Sequence, residues 1–178
     1  MSEVRDPQIQ RLLDRAAIQD CLARYARGID RHDEELVLSA YFEDAVDHHG
    51  QFVGSPRELA AWGAGQHESV WDAHQHFLSN VTIDFDGDTA HVETYVMFVQ
   101  RRRGGGVVDF GGARYVDRFE RRAGDWRIAA RVAIMDWVCE AGAEDPRGVL
   151  DRYVRGRWDR EDVSYARPLV VGGGSGAS

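Results

Sequence analysis

The feature that most constrains this chain is a run of alternating apolar and polar residues, beginning at His74 and broken only by turn chemistry until Cys139. Val81, Ile83 and Phe85 alternate with Thr82 and Asp84, the period of a strand with one buried face. Three reversals interrupt the run: Asp86-Gly87-Asp88, the stretch from Arg101 to Gly106, and Ala123-Gly124-Asp125. They divide it into a strand from His74, then Ala90–Gln100, Val107–Glu120 and Trp126–Cys139. Strands joined by such short turns pair antiparallel with their chain neighbours.

A sheet with one apolar face needs a cover, and the preceding residues supply it. From Pro7 to Ile29, apolar residues recur at helical spacing (Ile9, Leu12, Leu13, Ala16, Leu22, Tyr25, Ala26, Ile29), with Asp6 as N-cap and Pro7 in the first turn. A second helix is predicted from Asp33 to Phe42, its buried stripe being Leu36, Val37, Ala40 and Tyr41. A short strand at Ala45–His48 and a turn at His49-Gly50 follow. Ser55-Pro56-Arg57-Glu58 then opens a third helix through a capping box, with an end near Gly65. Three helices followed by a meander predict an α+β domain, in which a curved antiparallel sheet wraps over the helices as a cone with a cavity inside. The domain covers residues 1–139. Periodicity fades beyond it, so 140–178 are read as an arm and a flexible tail from Gly172, with Asp151–Arg160 either a short helix or part of the arm.

Composition removes several function classes. With 178 residues, 43% hydrophobic and 29% charged, the chain can bury one ordinary core. A net charge of −8 argues against nucleic acid as the main partner. All 22 basic residues are Arg, and the absence of Lys excludes Schiff-base chemistry, covalent pyridoxal phosphate and a P-loop lysine. No apolar run approaches membrane-spanning length and the N-terminus lacks the order of a signal peptide, so a cytoplasmic protein without a membrane partner is expected. Cys21 and Cys139 lack metal-ligand spacing and are read as buried free thiols. No cofactor and no metal are expected.

Candidate chemistry gathers at four residues. Tyr25 and Asp30 lie one and a half turns apart, so they lean toward one opening only where the helix end is loosened, a part given to Gly28. His76 shares a strand face with His74. Such a pair could hold zinc with His48 or His49 as third ligand, but nothing in the sequence makes those ligands converge, and an acid–base reading of His76 is the stronger. Arg131 lies on a strand whose two faces are both apolar, which predicts cover on both sides and an enclosed guanidinium. Such a group needs an anion, either an internal carboxylate (Asp30 or Asp117) or an oxyanion in the cavity. Asp47 with His48 and His49 could edge the cavity in a supporting role. Arg101-Arg102-Arg103 is read as a solvated turn.

Tyr25 and Asp30 on the first helix, a capping-box helix, Gln75-His76-Phe77-Leu78-Ser79-Asn80, and Asp125-Trp126-Arg127-Ile128 with Arg131 follow in an order that resembles the SnoaL-like branch of the nuclear transport factor 2-like superfamily. The resemblance spans roughly residues 8 to 139, and the pattern is similar to those of scytalone dehydratase, bile-acid dehydratase and hexachlorocyclohexane dehydrochlorinase. It implies the superfamily's cone, a cystatin-like α+β barrel, and a dyad of Asp30 and His76 that removes a proton from carbon. Arg131 matches the arginine of the last strand. Tyr25 matches the dehydratase tyrosine where the dehydrochlorinase has a lysine, which favours water over halide as leaving group. The implied function is a cofactor-independent lyase, a dehydratase of a hydroxylated apolar ring compound such as a steroid or polyketide. The same site could serve a ketosteroid-type isomerase or a polyketide cyclase, and the family also holds ligand-binding proteins and oxygenase small subunits. A homo-oligomer, dimer or trimer, is implied too, with the arm over the pocket mouth or over a neighbour.

Overall fold

The computed structural model describes residues 6–145 and 147–170. Helix α1 (Pro7–Arg31) starts where the Asp6 carboxylate accepts the Gln8 N–H at 2.8 Å. It closes at His32, which adopts the left-handed conformation and donates its N–H to the carbonyls of Gly28 and Ile29. Gly28 does not loosen the helix end, contrary to expectation, because the helix runs regularly through it. A Cβ at Gly28 would stand 2.7 Å from the Val37 nitrogen, so the bare position lets helix α2 (Glu34–Ser39) pack closely on α1.

Helix α2 ends at Ser39, three residues before the predicted Phe42. The Ala40 carbonyl accepts the Ile128 N–H at 3.0 Å, so sheet pairing takes over and Tyr41 opens strand β1 (Tyr41–His49) instead of completing a helical stripe. Strand β2 (Phe52–Gly54) leads into helix α3 (Pro56–Val70), whose start carries both halves of the predicted Ser55/Glu58 capping box and whose end runs past Gly65. The long strands are β3 (Trp71–Asp86), β4 (Thr89–Arg102), β5 (Gly106–Arg122) and β6 (Asp125–Ala143).

The sheet order is β2-β1-β6-β5-β4-β3. The four long strands form the expected antiparallel meander, and β1 adds to its β6 edge in parallel, giving a mixed, open, curved sheet. Ile18 and Leu22 of α1, Val37, Leu59, Val92, Phe119 and Ile128 form the core between the helices and the concave face. Strand β6 is enclosed on both sides only in its first half, a correction to the predicted cover. Beyond Arg131 it projects past the helices, leaving Met135 59% exposed and Val138 62% exposed. Cys139, expected to be buried, is therefore at the surface, while Cys21 is buried as expected. Among the described residues, no helix is long and apolar enough to cross a membrane.

The arm folds back over the end of α1, through 3₁₀ turns at Leu150–Arg152 and Val163–Tyr165 rather than a helix at 151–160. Arg160 reaches Asp33 and Glu35, the Tyr165 hydroxyl donates to Asp33 at 2.7 Å, and Arg27 donates to the Ser164 carbonyl. Trp158 is laid against His32. The predicted tail from Gly172 lies outside the described residues.

Candidate active site

Asp30 and His76 meet although 46 residues separate them. Asp30 comes from the last turn of α1 and His76 from the first half of β3. Asp30 Oδ1 accepts the His76 Nδ1–H at 2.7 Å, and Oδ2 accepts the backbone N–H of the same residue at 3.0 Å. Both carboxylate oxygens therefore act on one residue. A carboxylate facing Nδ1 can only accept, which places the proton on Nδ1 and the lone pair on Nε2. The side chains are 14% and 11% exposed, so water competes little for these bonds.

His76 separates two spaces. On one side is a shallow groove between α1 and β3 that also exposes Asp30. On the other is a cavity of about 320 Å³, within the size range of small-molecule sites. Apolar groups (Leu59, Trp62, Val96, Phe98, Ile134) make up most of its wall, and Tyr25, Tyr115, His49 and Gln100 supply polar points. Tyr25 and His76 thus line one cavity, whereas Tyr25 and Asp30, expected to share one opening, do not: Asp30 supports His76 from outside it.

Tyr25 is 2% exposed, and its ring meets that of Tyr115 edge to face at 5.6 Å. Both tyrosines line the cavity, and each hydroxyl carries one proton that a ligand can accept. Burial pushes the Tyr25 hydroxyl up to about 12, even with the Arg131 charge acting in the other direction. Tyr25 is therefore a neutral hydrogen-bond donor across the physiological range.

Arg131 does not reach the cavity. Its guanidinium forms a two-bond fork with Asp117, both at 2.7 Å, with both side chains fully buried. It also lies 4.2 Å from the Tyr25 ring centre and 4.0 Å from that of Tyr115. Of the two carboxylate partners named from the sequence, Asp117 is the one engaged. Burial raises the Asp117 carboxyl, and the Arg131 charge opposes that rise.

Asp47 carries more weight here than the sequence indicated. It is fully buried beside Arg131 in the β1–β6 register, accepts the Tyr41 hydroxyl at 2.6 Å, and lies 3.2 Å from His49 Nδ1. His49 consequently enters the cavity wall as a second histidine backed by a carboxylate. His48 is exposed and Arg101 to Arg103 form ion pairs and hydrogen bonds at the surface, consistent with a solvated turn. Beside His76 stand His74, His67 and His32, of which His67 also lines the cavity. Burial lowers all three, His67 to about 2 and His74 to about 4, which keeps the rings neutral. No local motif marks His67 or His32, and only the fold brings them together.

The SnoaL-like domain family matches residues 10–132. No curated protein sequence matches the chain. Among solved structures, a type 2 hexachlorocyclohexane dehydrochlorinase is similar over 79% of this chain and 99% of its own, at 23% identity and a TM-score of 0.71. A candidate scytalone dehydratase from Novosphingobium aromaticivorans is similar over 79% of this chain and 97% of its own, at 20% identity and a TM-score of 0.66. A candidate aromatic ring hydroxylase from the same organism covers 74% of this chain and 94% of its own, at 25% identity and a TM-score of 0.62. These likenesses establish a shared fold.

Proposed function

From the premise that this chain belongs to the SnoaL-like family, we propose that it is a lyase that removes water from a hydroxylated, largely apolar ring compound using side chains alone. The observation that carries the reading is the His76–Asp30 pair, with Nδ1 committed to the carboxylate at 2.7 Å and the other ring nitrogen left for the cavity. His76 Nε2 takes a proton from an acidic C–H of the substrate, and Asp30 holds the tautomer and stabilises the imidazolium that forms. The Tyr25 hydroxyl, beside Tyr115 in the cavity wall, gives its proton to the departing hydroxyl so that water leaves, and the proton taken up by His76 afterwards restores the tyrosine. In an enolate-forming step the same hydroxyl hydrogen-bonds to the enolate oxygen. Arg131 acts from behind those two rings as a fixed positive charge and is not a direct contact. The apolar wall selects a ring compound over a charged metabolite. Two structural neighbours bear the names of eliminating enzymes, in keeping with the same reaction class.

A second reading uses the same atoms. The tyrosine pair suits an enolate oxygen as well as a leaving hydroxyl, so proton transfer without loss of water, as in an isomerase or cyclase, is the alternative. Incubation of the chain with hydroxysteroids and hydroxylated polyketides, followed by mass spectrometry, separates the two. A product lighter by one water, absent with His76→Ala, is the expected result. A rearranged product of unchanged mass would replace elimination by isomerisation, and equal turnover by His76→Ala would remove His76 from the chemistry.

A further inference from the structure

Three histidines that the proposed elimination does not use converge beside the dyad, His67 among them at the cavity wall. His32 closes α1, His67 lies in the last turn of α3, and His74 is on β3 two residues before His76. One ring nitrogen from each lies within 4.8 Å of the other two. The ring centres of His67 and His74 are 4.0 Å apart, and His32 is 5.5 Å from both.

Their hydrogen bonds do not close. The Ile29 carbonyl takes the His74 Nε2–H at 3.0 Å, and because a carbonyl only accepts, Nδ1 of His74 is left with a bare lone pair. That Nδ1 is buried without a partner, and so are His67 Nδ1 and both nitrogens of His32. The His32 side chain is 7% exposed, and its Nδ1 lies 3.7 Å from Glu68 Oε1, outside hydrogen-bond range. Stranding a buried polar atom costs about 1–3 kcal/mol, and native proteins leave few of them unexplained. Trp158 of the arm lies flat over the group, 4.3 Å from His32 and 4.9 Å from His74.

Three convergent imidazoles with nitrogens that no protein group meets suit a compact, borderline-soft divalent cation, which takes lone pairs from all three at once. We propose that His32, His67 and His74 form a site for a zinc-class divalent metal, roofed by Trp158, that ties the ends of α1 and α3 to β3. A tetrahedral ion with ligands at about 2.0–2.1 Å needs nitrogens about 3.4 Å apart, so the three rings must close in slightly. Supporting groups are in place, since Ile29 orients His74, and Glu68 is the nearest carboxylate to His32. Asp30 Oδ1 stands 3.6 Å from His74 Nε2 and 2.7 Å from His76 Nδ1, so one carboxylate lies between the metal ligand and the proposed base. The sequence offered His74 and His76 with His48 or His49 as a weaker zinc grouping. Among the described residues His76 Nδ1 is held by Asp30, His49 lies against Asp47 and His48 is exposed, and the three histidines that converge are His32, His67 and His74. The site is independent of the elimination reading and stands whether or not a substrate is turned over.

The test uses the full chain without a histidine tag, stripped with a chelator, dialysed, and titrated with zinc chloride by calorimetry and with cobalt(II) chloride by visible absorption. Expected are about one equivalent per chain, intense d–d bands of a tetrahedral cobalt centre, and a thermal midpoint that rises with zinc. His32→Asn keeps a residue type that tolerates the left-handed conformation at φ 51°, and His67→Gln changes a helical position. Each should weaken binding by on the order of 10²-fold or more, with folding checked by circular dichroism. His48→Gln and His91→Gln, both exposed, should bind as wild type does. Absence of stoichiometric binding, or binding undiminished in folded His32→Asn, overturns the proposal.

Discussion

Asp30→Asn changes one atom type in the dyad and predicts a reversed imidazole. Asp30 presents Oδ2 to the His76 backbone N–H at 3.0 Å and Oδ1 to the ring Nδ1–H at 2.7 Å. An amide has one oxygen. The backbone N–H can only donate and claims that oxygen, leaving the new NH₂ group facing Nδ1. To accept from it, Nδ1 must give up its proton, which moves to Nε2 and closes the ring's lone pair to the cavity. Geometry survives and the base is lost. Bonds to a charged acceptor contribute about 1.5–3 kcal/mol each and neutral ones about 0.5–1.5, so the pair of bonds loses about 2 kcal/mol. For a chain of this size that lowers the thermal midpoint by about 4–8 °C. Turnover of a substrate found by mass loss falls on the order of 10²–10⁴-fold. The tautomer itself is read without any substrate, by nitrogen–proton correlation spectra of ¹⁵N-histidine-labelled protein. Wild type should carry the His76 proton on Nδ1 and the variant on Nε2. A variant that keeps the Nδ1 proton, or turns substrate over at the wild-type rate, refutes the reasoning.

Asp117→Ala leaves the fully buried Arg131 charge without its partner, and should cost about 3–5 kcal/mol in urea unfolding, whereas the double change Arg131→Met with Asp117→Leu recovers most of it. Gly28→Ala would ordinarily stabilise a helix by about 1 kcal/mol, but with a Cβ 2.7 Å from the Val37 nitrogen it should destabilise by about 1–3 kcal/mol, and a raised midpoint would sink the close-packing account. Asp162→Ala removes the acceptor of the Ser164 and Arg157 N–H groups, weakens arm docking by about 1 kcal/mol, and should open Trp158 to a fluorescence quencher. Hydrogen bonds from Ser164 first, and then the Arg31 charge, hold the Asp162 carboxyl at about 2 instead of its ordinary 3.8. The ionised form is the docked form, so its contribution is whole above pH 3.8 and is lost as pH falls through about 2. Quenching of Trp158 should rise across that window in wild type, and pH-independent quenching there would contradict it.

What was legible in the sequence was local chemistry, and what was hidden depended on register. Asp6, the Ser55/Glu58 box and the Ala123-Gly124 turn each act within four residues, and each does what its chemistry predicts. The Asp30–His76 pair was readable as an order of motifs, although its direction was not: Asp30 supports the histidine from the groove and does not share the cavity with Tyr25. Histidines 32, 67 and 74 come from three elements, and a lone histidine in each carries no sign that the rings will stack. Arg131 is the most instructive case. Counting back from the turn, with Arg122 opposite Asp125 and Phe119 opposite Ile128, a regular hairpin would set Arg131 against Val116. Because facing residues share one side of a sheet, Asp117 would then point away from the guanidinium and leave a buried charge alone. An irregularity between Arg118 and Phe119 shifts the register by one, so that Asp117 faces Arg131 and the fork closes. No residue in that stretch announces the shift. Its cause is energetic, since a one-residue bulge costs less than an unpaired guanidinium in the core, and that comparison involves two strands at once.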